Sequence, residues 1–308
     1  VTGTHEFHED ERNRDVLIYV NGELVPRGEA KVSVFDSAFL VGDGFWESFR
    51  LHNGKLAFAE AHLARFKANA KALDYDLGMS AEAILEEVYK TVRANKMVSN
   101  DVHIRMMVTR GTKRSPSQDP RTCIAGPTIV IIAEYKAPRR QGDEGLRLFT
   151  VHVRRGRPDV QDPKLHPHSK LNCVISCIQA TKAGADEALM LDPQGFVSTC
   201  NSTNFFVVRS GDVWTSTGKY CLNGITRGNI ITLCKRNDIP VFERDFSLFD
   251  VYSADEAFVT GTFGGVAFVG EVDGRVIGDG RIGPLTDRLR ALYAALLDED
   301  CPPPAADD

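Results

Sequence analysis

Apolar residues recur along the chain in two periods, and the switch between them marks out its elements. Val16–Val20 is a β-branched run that stops at Asn21-Gly22, a dipeptide suited to a tight hairpin. Lys31–Phe35 reads as the next strand. Gly44–Leu51 and Lys55–Phe58 flank His52-Asn53-Gly54 and read as a second hairpin. From Glu60 the period lengthens. Leu63, Phe66, Ala70 and Leu73 recur at helical spacing, and Ile84, Leu85, Val88 and Val92 repeat it within Ala81–Ala94. Strands return at Val102–Thr109 and Thr128–Ala133. Further on the pattern predicts a strand at Leu146–Val153 and a helix at Leu171–Ala183. Short strands follow at Ala188–Leu191, Phe205–Val208 and Val213–Thr215, and a helix after Gly224. Ala257–Val259 and Val266–Val269 read as late strands, and Pro284–Leu297 as a closing helix with proline in its first turn.

Strands and helices are interspersed, which predicts an α+β class. The polar, Gly- and Pro-bearing stretch Tyr135–Gly145 divides them. The expected organisation is a small N-terminal α+β domain over 1–135, a linker over 136–145 and a large C-terminal α+β domain over 146–308. A chain of 308 residues is consistent with about two domains. Residues 1–15 read as a polar arm and 301–308 as a tail.

Composition removes several function classes. With 43% hydrophobic residues, the chain carries enough apolar material to fold. A net charge of −5 lacks the basic footprint of a nucleic-acid binder. Apolar runs such as Ile129–Ala133 fall far short of the ~20 residues that span a bilayer. The first residues are polar and acidic, unlike a signal peptide. The seven cysteines include no C-x-x-C pair, and free thiols in a reducing cytoplasm are expected. No His/Cys/Asp cluster suggests a metal.

Four short stretches carry candidate chemistry. Thr260-Gly261-Thr262-Phe263-Gly264-Gly265 offers backbone amides and hydroxyls to an anion, or is a plain glycine-rich loop. Gly224-Ile225-Thr226-Arg227 opens a helix, and a helix N-terminus attracts anions, although many helices start this way without a ligand. Gly42-Asp43-Gly44 reads as a turn. His62 and Arg65 lie one helical turn apart, the usual arrangement of a solvated face.

Taken in order, seven stretches resemble one family. They are Val41-Gly42-Asp43-Gly44-Phe45-Trp46-Glu47, His62-x-x-Arg65-Phe66, Val108-Thr109-Arg110-Gly111, Gly184-Ala185-Asp186-Glu187-Ala188, Asn204-Phe205-Phe206, Gly224-Ile225-Thr226-Arg227 and Thr260-Gly261-Thr262. The chain is similar, over about residues 17–297, to the fold-type-IV pyridoxal-phosphate aminotransferases, the branched-chain, D-amino-acid and amine transaminases with aminodeoxychorismate lyase. The resemblance implies the two-domain fold of that family, pyridoxal 5'-phosphate as cofactor, an amino donor and a 2-oxo acid as substrates, and a homodimer. It implies that Arg65 holds the cofactor phosphate, with the amides of Ile225 and Thr226 and with Thr262.

Two positions depart from the family pattern. The family often reads D-P-x-x-K before its helix, and here the string is Asp162-Pro163-Lys164-Leu165-His166-Pro167-His168-Ser169-Lys170. Without gaps the lysine position falls on His166, and the tyrosine that approaches the cofactor's phenolic oxygen falls on Lys170. Three readings stay open for the covalent link: Lys170, Lys164 after a two-residue slip, or no lysine at all. His166 and His168 are candidate acid–base groups, since imidazole titrates near neutral pH. The glutamate that pairs with the pyridine nitrogen falls on Thr199, which supplies no charge. The difference between a charge-assisted and a neutral hydrogen bond, roughly 1 kcal/mol, predicts a weaker electron sink.

Three residues are candidate substrate contacts. Trp46 stands where many relatives carry tyrosine. Arg105 matches the arginine of a Y-I-R-P string in the branched-chain enzymes and suits a carboxylate. Arg114 lies one residue from a carboxylate-binding arginine of the D-amino-acid enzymes. Core packing for the indole and surface exposure for the arginines are the plain alternatives. The expected activity is amino transfer between an amino acid or amine and a 2-oxo acid. A lyase or racemase on the same cofactor, and a non-catalytic homologue binding a phosphorylated ligand, are the alternatives.

Overall fold

A computed structural model describes residues 9–136 and 145–304. Most of the expected linker, the start of the arm and the end of the tail lie outside these residues. The described chain divides into two compact units. Residues 9–136 form the N-terminal unit, joined by His166–Ser169 and 298–304. Residues 145–165 and Lys170–Leu297 form the C-terminal unit.

The N-terminal unit contains β1 (Leu17–Val20), β2 (Glu23–Pro26), α1 (Ser37–Val41), β3 (Gly44–His52), β4 (Lys55–Leu56), α2 (Ala59–Ala72), α3 (Ala81–Ala94), β5 (Val102–Thr109) and β6 (Thr128–Tyr135). Its strands form one antiparallel sheet in the order β2-β1-β6-β5-β3-β4. Asn21-Gly22 makes the expected turn, but the partner strand is Glu23–Pro26 rather than Lys31–Phe35. A two-residue turn returns the chain at once, so the partner must follow directly. Val32, Val34 and Phe35 are instead exposed in a loop. Of the short helices, α1 escapes the periodicity because five residues hold too little of a repeat.

Strand pairing sorts this sheet into two faces. Phe45, Phe49 and Leu51 of β3 share one face with Ile104, Met106 and Val108 of β5 and Ile131 of β6. Helices α2 and α3 bury that face through Phe66, Ala70, Ile84, Val88 and Val92. The other face carries Trp46, Ser48 and Arg50 beside Met107, Arg105 and His103, and beyond them Val130, Ile132 and Glu134. The alternation of β3 therefore places its charged Glu47 on the apolar face.

The C-terminal unit contains β7 (Leu146–Thr150), α4 (Pro158–Gln161), α5 (Leu171–Lys182), β8 (Glu187–Leu191), β9 (Val197–Cys200), β10 (Asn204–Arg209), β11 (Asp212–Thr215), α6 (Ile225–Arg236), β12 (Val241–Glu243), α7 (Leu248–Tyr252), β13 (Glu256–Gly261), β14 (Gly265–Val272), β15 (Arg275–Val276) and α8 (Pro284–Asp300). Its sheet runs β12-β11-β10-β13-β14-β7-β8-β9, with β15 on β14. Here β7 pairs in parallel with both β8 and β14, and the other pairs are antiparallel except β11 with β12. Strand β7 stops at Thr150, three residues before the expected end, where Asp273 takes both the Thr150 amide at 2.6 Å and its hydroxyl at 2.6 Å. Glu256 on β13 caps α8 through the amides of Leu285 at 3.0 Å and Thr286 at 2.7 Å. Among the described residues no helix is long and apolar enough to cross a membrane.

Candidate functional site

In the C-terminal unit, the N-terminus of α6 is the clearest anion-binding feature. Gly224 enters it with extended backbone, and no side chain caps the first turn. The Ile225 and Thr226 amides thus stay available at the positive end of the helix. A Cβ at residue 224 would lie 2.3 Å from Asn204 Oδ1, so glycine is required there. Asn204 Nδ2 donates to the Leu222 carbonyl at 3.0 Å and braces the approach to the helix. Pairing of β10 with β13 sets Asn204 opposite Thr260, so both side chains leave the sheet on one face, and α6 packs against β13. The buried Thr260 Oγ1 has no hydrogen-bond partner among the described residues. Thr226 is buried with Oγ1 3.4 Å from Tyr293 Oη, and Thr262 is half-buried in the β13–β14 turn. Uncapped amides, a required glycine and an orphaned hydroxyl fit a phosphate.

Arg227, the last residue of the same motif, has another task. Its Nη2 donates to the Ser216 carbonyl at 2.7 Å and to Glu243 Oε2 at 2.7 Å. It ties α6 to the neighbouring strands.

Thr199 lies on β9 and is buried. Its hydroxyl donates to the Thr203 carbonyl at 2.7 Å. With its proton committed, this oxygen offers only lone pairs to another group. Glu187 anchors the same bend, accepting from Thr203 Oγ1 at 2.7 Å and from Ser202 Oγ. Burial, and then the nearby Glu187 charge, push the Cys200 thiol well up from its ordinary value.

In the N-terminal unit, Glu47 gathers a charged cluster on the apolar sheet face. Arg65 donates to it from Nε at 2.9 Å and from Nη2 at 2.6 Å, and His62 Nδ1 lies 3.0 Å from Oε1. His62 and Arg65 therefore face the sheet and do not form a solvated surface. Burial opposes the Glu47 charge, but the Arg65 charge and the hydrogen bonds from His62 and Arg65 hold its carboxyl well below the usual range.

Residues His166–Ser169 dock along the free edge of β3. The Trp46 amide donates to the His166 carbonyl at 3.1 Å and the His168 amide to the Gly44 carbonyl at 2.8 Å, with Phe45 bridged to Pro167. The His166 amide donates to Asn69 Oδ1 at 2.8 Å. The His166 imidazole is buried, 3.6 Å from the Trp46 ring by centroids, with Nδ1 3.9 Å from Glu47 Oε1. The Arg105 guanidinium lies 4.0 Å over the same indole. Trp46, Arg105 and His166 thus come together, and Glu47 links them to Arg65.

Lys164 is exposed in a turn whose amide is held by Asp162 at 2.9 Å. Lys170 is half-buried at the N-cap of α5. Arg114 is exposed, while its neighbour Lys113 is buried and donates to the Asp119 carbonyl at 3.0 Å. Arg110 pairs with Asp43 at 2.8 Å and stacks 4.2 Å over Tyr75, whose hydroxyl also reaches Asp43 at 2.7 Å. The Asp43 and Arg110 motifs therefore serve each other. Thr260, whose hydroxyl belongs to the glycine-rich stretch that the sequence offers to an anion, is buried in this arrangement. Its place opposite Asn204, two residues before Thr262, is the signal that marks it.

Comparison with known proteins identifies the family. The family model for amino-transferase class IV matches residues 44–272. "Branched-chain-amino-acid aminotransferase-like protein 2" of Arabidopsis thaliana is 41% identical over 286 residues, 93% of this chain and 51% of that protein. The chain thus spans about half the length of the Arabidopsis relatives it matches. The "Putative branched-chain-amino-acid aminotransferase" of Methanocaldococcus jannaschii is 40% identical, covering 90% of this chain and 94% of that one. The solved branched-chain amino acid aminotransferase of Escherichia coli superposes with a TM-score of 0.84 at 26% identity, covering 92% and 95% of the two chains. A second solved branched-chain amino acid aminotransferase, with pyridoxamine 5'-phosphate, superposes with a TM-score of 0.86 at 30% identity, covering 94% and 96%. With a family model covering most of its length and a matching fold of type IV, this chain belongs to the class IV aminotransferases.

Proposed function

We propose that this chain is a pyridoxal-phosphate-dependent aminotransferase that moves an amino group between an amino acid or amine and a 2-oxo acid. The observation that carries the reading is the uncapped α6 N-terminus, with Thr226 and the orphaned Thr260 hydroxyl, in a chain of this family. Ile225, Thr226 and Thr262 would hold the cofactor phosphate. Arg65 is the guanidinium that the family likeness assigns to it, and Glu47 fixes its orientation. Bound pyridoxal phosphate supplies an electron-withdrawing ring that acidifies the Cα–H of an amino substrate.

The chain's own residues then bind and move protons. His166 supplies an imidazole, a side chain suited to general acid–base work, with Nδ1 3.9 Å from Glu47 Oε1. Arg105 presents a cation to a substrate carboxylate, with Trp46 as the wall beneath it. Arg114 is an outer carboxylate contact in this reading. Thr199 accepts, without charge, from a ring nitrogen. Lys170 and Lys164 remain the two primary amines for a covalent link, and the burial of Lys170 favours it over exposed Lys164.

The exposed residues Leu171, Val174, Ile175 and Ile178 line one stripe of α5, spaced for burial against another surface. They support a homodimer. Seven unpaired thiols support a reducing compartment, the cytoplasm. A second reading, a non-catalytic binder of a phosphorylated ligand, gains from the committed hydroxyl of Thr199 and the imidazole at residue 166.

The test is an absorption spectrum with added pyridoxal phosphate, then borohydride reduction, peptide mapping and an amino-transfer assay. A band near ~410–420 nm with a reduced adduct on Lys170, and transfer to a 2-oxo acid, is expected. An adduct on Lys164 reassigns the amine. Neither band nor adduct, with no transfer, replaces the aminotransferase reading by the second one.

A further inference from the structure

Thr199 and Asn204 lie five residues apart on strands that share no ladder. Strand β9 closes one edge of the C-terminal sheet, and β8, β7, β14 and β13 lie between it and β10 in the strand order. Side chains join the two instead. Thr199 is 5% exposed and Asn204 7%, so little water reaches the contact.

The donors and acceptors here admit one arrangement. The Asn204 amide nitrogen carries two hydrogens and has two acceptors, the Leu222 carbonyl at 3.0 Å and Thr199 Oγ1 at 3.4 Å. A carbonyl only accepts, so Leu222 fixes which amide atom is the nitrogen. The Thr199 proton goes to the Thr203 carbonyl at 2.7 Å, so towards Asn204 its oxygen can only accept. The Cys200 amide donates to the same carbonyl at 2.9 Å and closes the bend. The amide oxygen of Asn204 is equally constrained. Oδ1 fills the space beside Gly224, 2.3 Å from where a Cβ would lie. Pairing with Thr260 fixes the Asn204 backbone. One amide on a rigid strand thus holds Thr199 with one hydrogen and the entry to α6 with the other.

We propose that Asn204 is a positioning residue that yokes the Thr199 hydroxyl to the N-terminus of α6. Calling these the two ends of a cofactor site rests on the aminotransferase reading above, in which Thr199 meets the ring nitrogen and Ile225 and Thr226 hold the phosphate. The span between the ends is then set by one side chain of this protein. A neutral hydroxyl has no charge to make up for misalignment, and hydrogen bonds weaken steeply as they bend, so Thr199 depends on this hold.

The experiment titrates pyridoxal phosphate into the purified full chain by fluorescence and records the absorption of the bound form. Asn204→Asp keeps the shape, removes both donors and should raise Kd about tenfold. Asn204→Ala is the second variant. Thr199→Val should weaken binding about fivefold in the native background and less than about twofold on Asn204→Ala, where the hold is already gone. Gly224→Ala should show the same dependence. It displaces the amide in the native background, whereas on Asn204→Ala the new Cβ meets nothing nearer than Arg227 Cβ at 3.6 Å. The absorption band should move in one direction in Asn204→Asp and Thr199→Val and stay in place in Thr226→Ala. General loosening of the fold would not give that signature. Additive losses in both cycles, or a native Kd in Asn204→Asp, overturns the inference and leaves the cofactor reading intact. Native protein that takes up no pyridoxal phosphate sinks that reading, and the proposed role of Asn204 with it.

Discussion

Gly44 lies so close to His168 that a Cβ on residue 44 would sit 2.2 Å from the imidazole Cδ2 and 2.9 Å from the Val108 carbonyl. Two residues earlier, a Cβ on Gly42 would lie 2.6 Å from Ser169 Oγ, at a φ of +71°. The glycines of the Gly42-Asp43-Gly44 motif thus make room for a segment more than a hundred residues away. Docking of that segment is what buries His166.

Gly44→Ala should therefore release residues 166–169 from the edge of β3. Overpacking of this kind costs about 1–3 kcal/mol. Hydrogen exchange should accelerate at the Trp46 and His168 amides, which carry the docking hydrogen bonds. Gly126→Ala is the control, since nothing lies within 4 Å of a Cβ there. Unchanged exchange in Gly44→Ala would show that the contact does not hold the segment.

Glu47→Gln leaves Arg65 without its buried counter-charge. Removing one partner of a buried pair costs about 3–5 kcal/mol, measured as a loss of unfolding free energy in urea. The same carboxylate sets an acid limit. Its folded pKa is depressed, so its contribution is complete above the unfolded value near ~4.3 and is lost as pH falls towards the folded one. Native protein should lose stability below about pH 4 more steeply than Glu47→Gln. Parallel pH profiles would contradict the ion pair.

Thr226→Ala and Arg227→Met should separate two roles within one motif. Thr226→Ala is expected to weaken pyridoxal phosphate binding about tenfold with little change in Tm. Arg227→Met loses the Ser216 and Glu243 contacts and should lower Tm first. Cofactor titration by fluorescence and thermal unfolding read the two effects. The reverse pattern would reassign the cradle.

His166→Lys places a primary amine on the docked segment. After addition of pyridoxal phosphate and borohydride, peptide mapping should find an adduct at residue 166 that the native protein lacks. His166→Gln, which keeps the size but not the titration, should flatten the pH dependence of turnover and slow it about 10²–10⁴-fold. A His166→Gln variant with native pH profile and rate excludes imidazole as the proton carrier.

The order of strands and helices is legible wherever an element is long enough to repeat. Helices α2 and α3 and strands β3, β5 and β6 follow the periodicity because one face of each is buried. Lys31–Phe35 misleads because apolar residues facing outward have the same pattern as buried ones. The candidate site is legible in part. The α6 N-terminus is local, so Gly224-Ile225-Thr226 reveals it directly.

The sequence by itself determined the α+β class, the family motifs, and the absence of lysine at residue 166 and of glutamate at 199. Tertiary structure alone decided which charges meet. It turned His62 and Arg65 inward to Glu47, gave Arg110 to Asp43 and Arg227 to Glu243, and brought His166 beside Trp46. Periodicity tells which face of an element is buried. It carries no record of the partner, because a charged side chain takes whichever opposite charge the packed sheet delivers within about 4 Å.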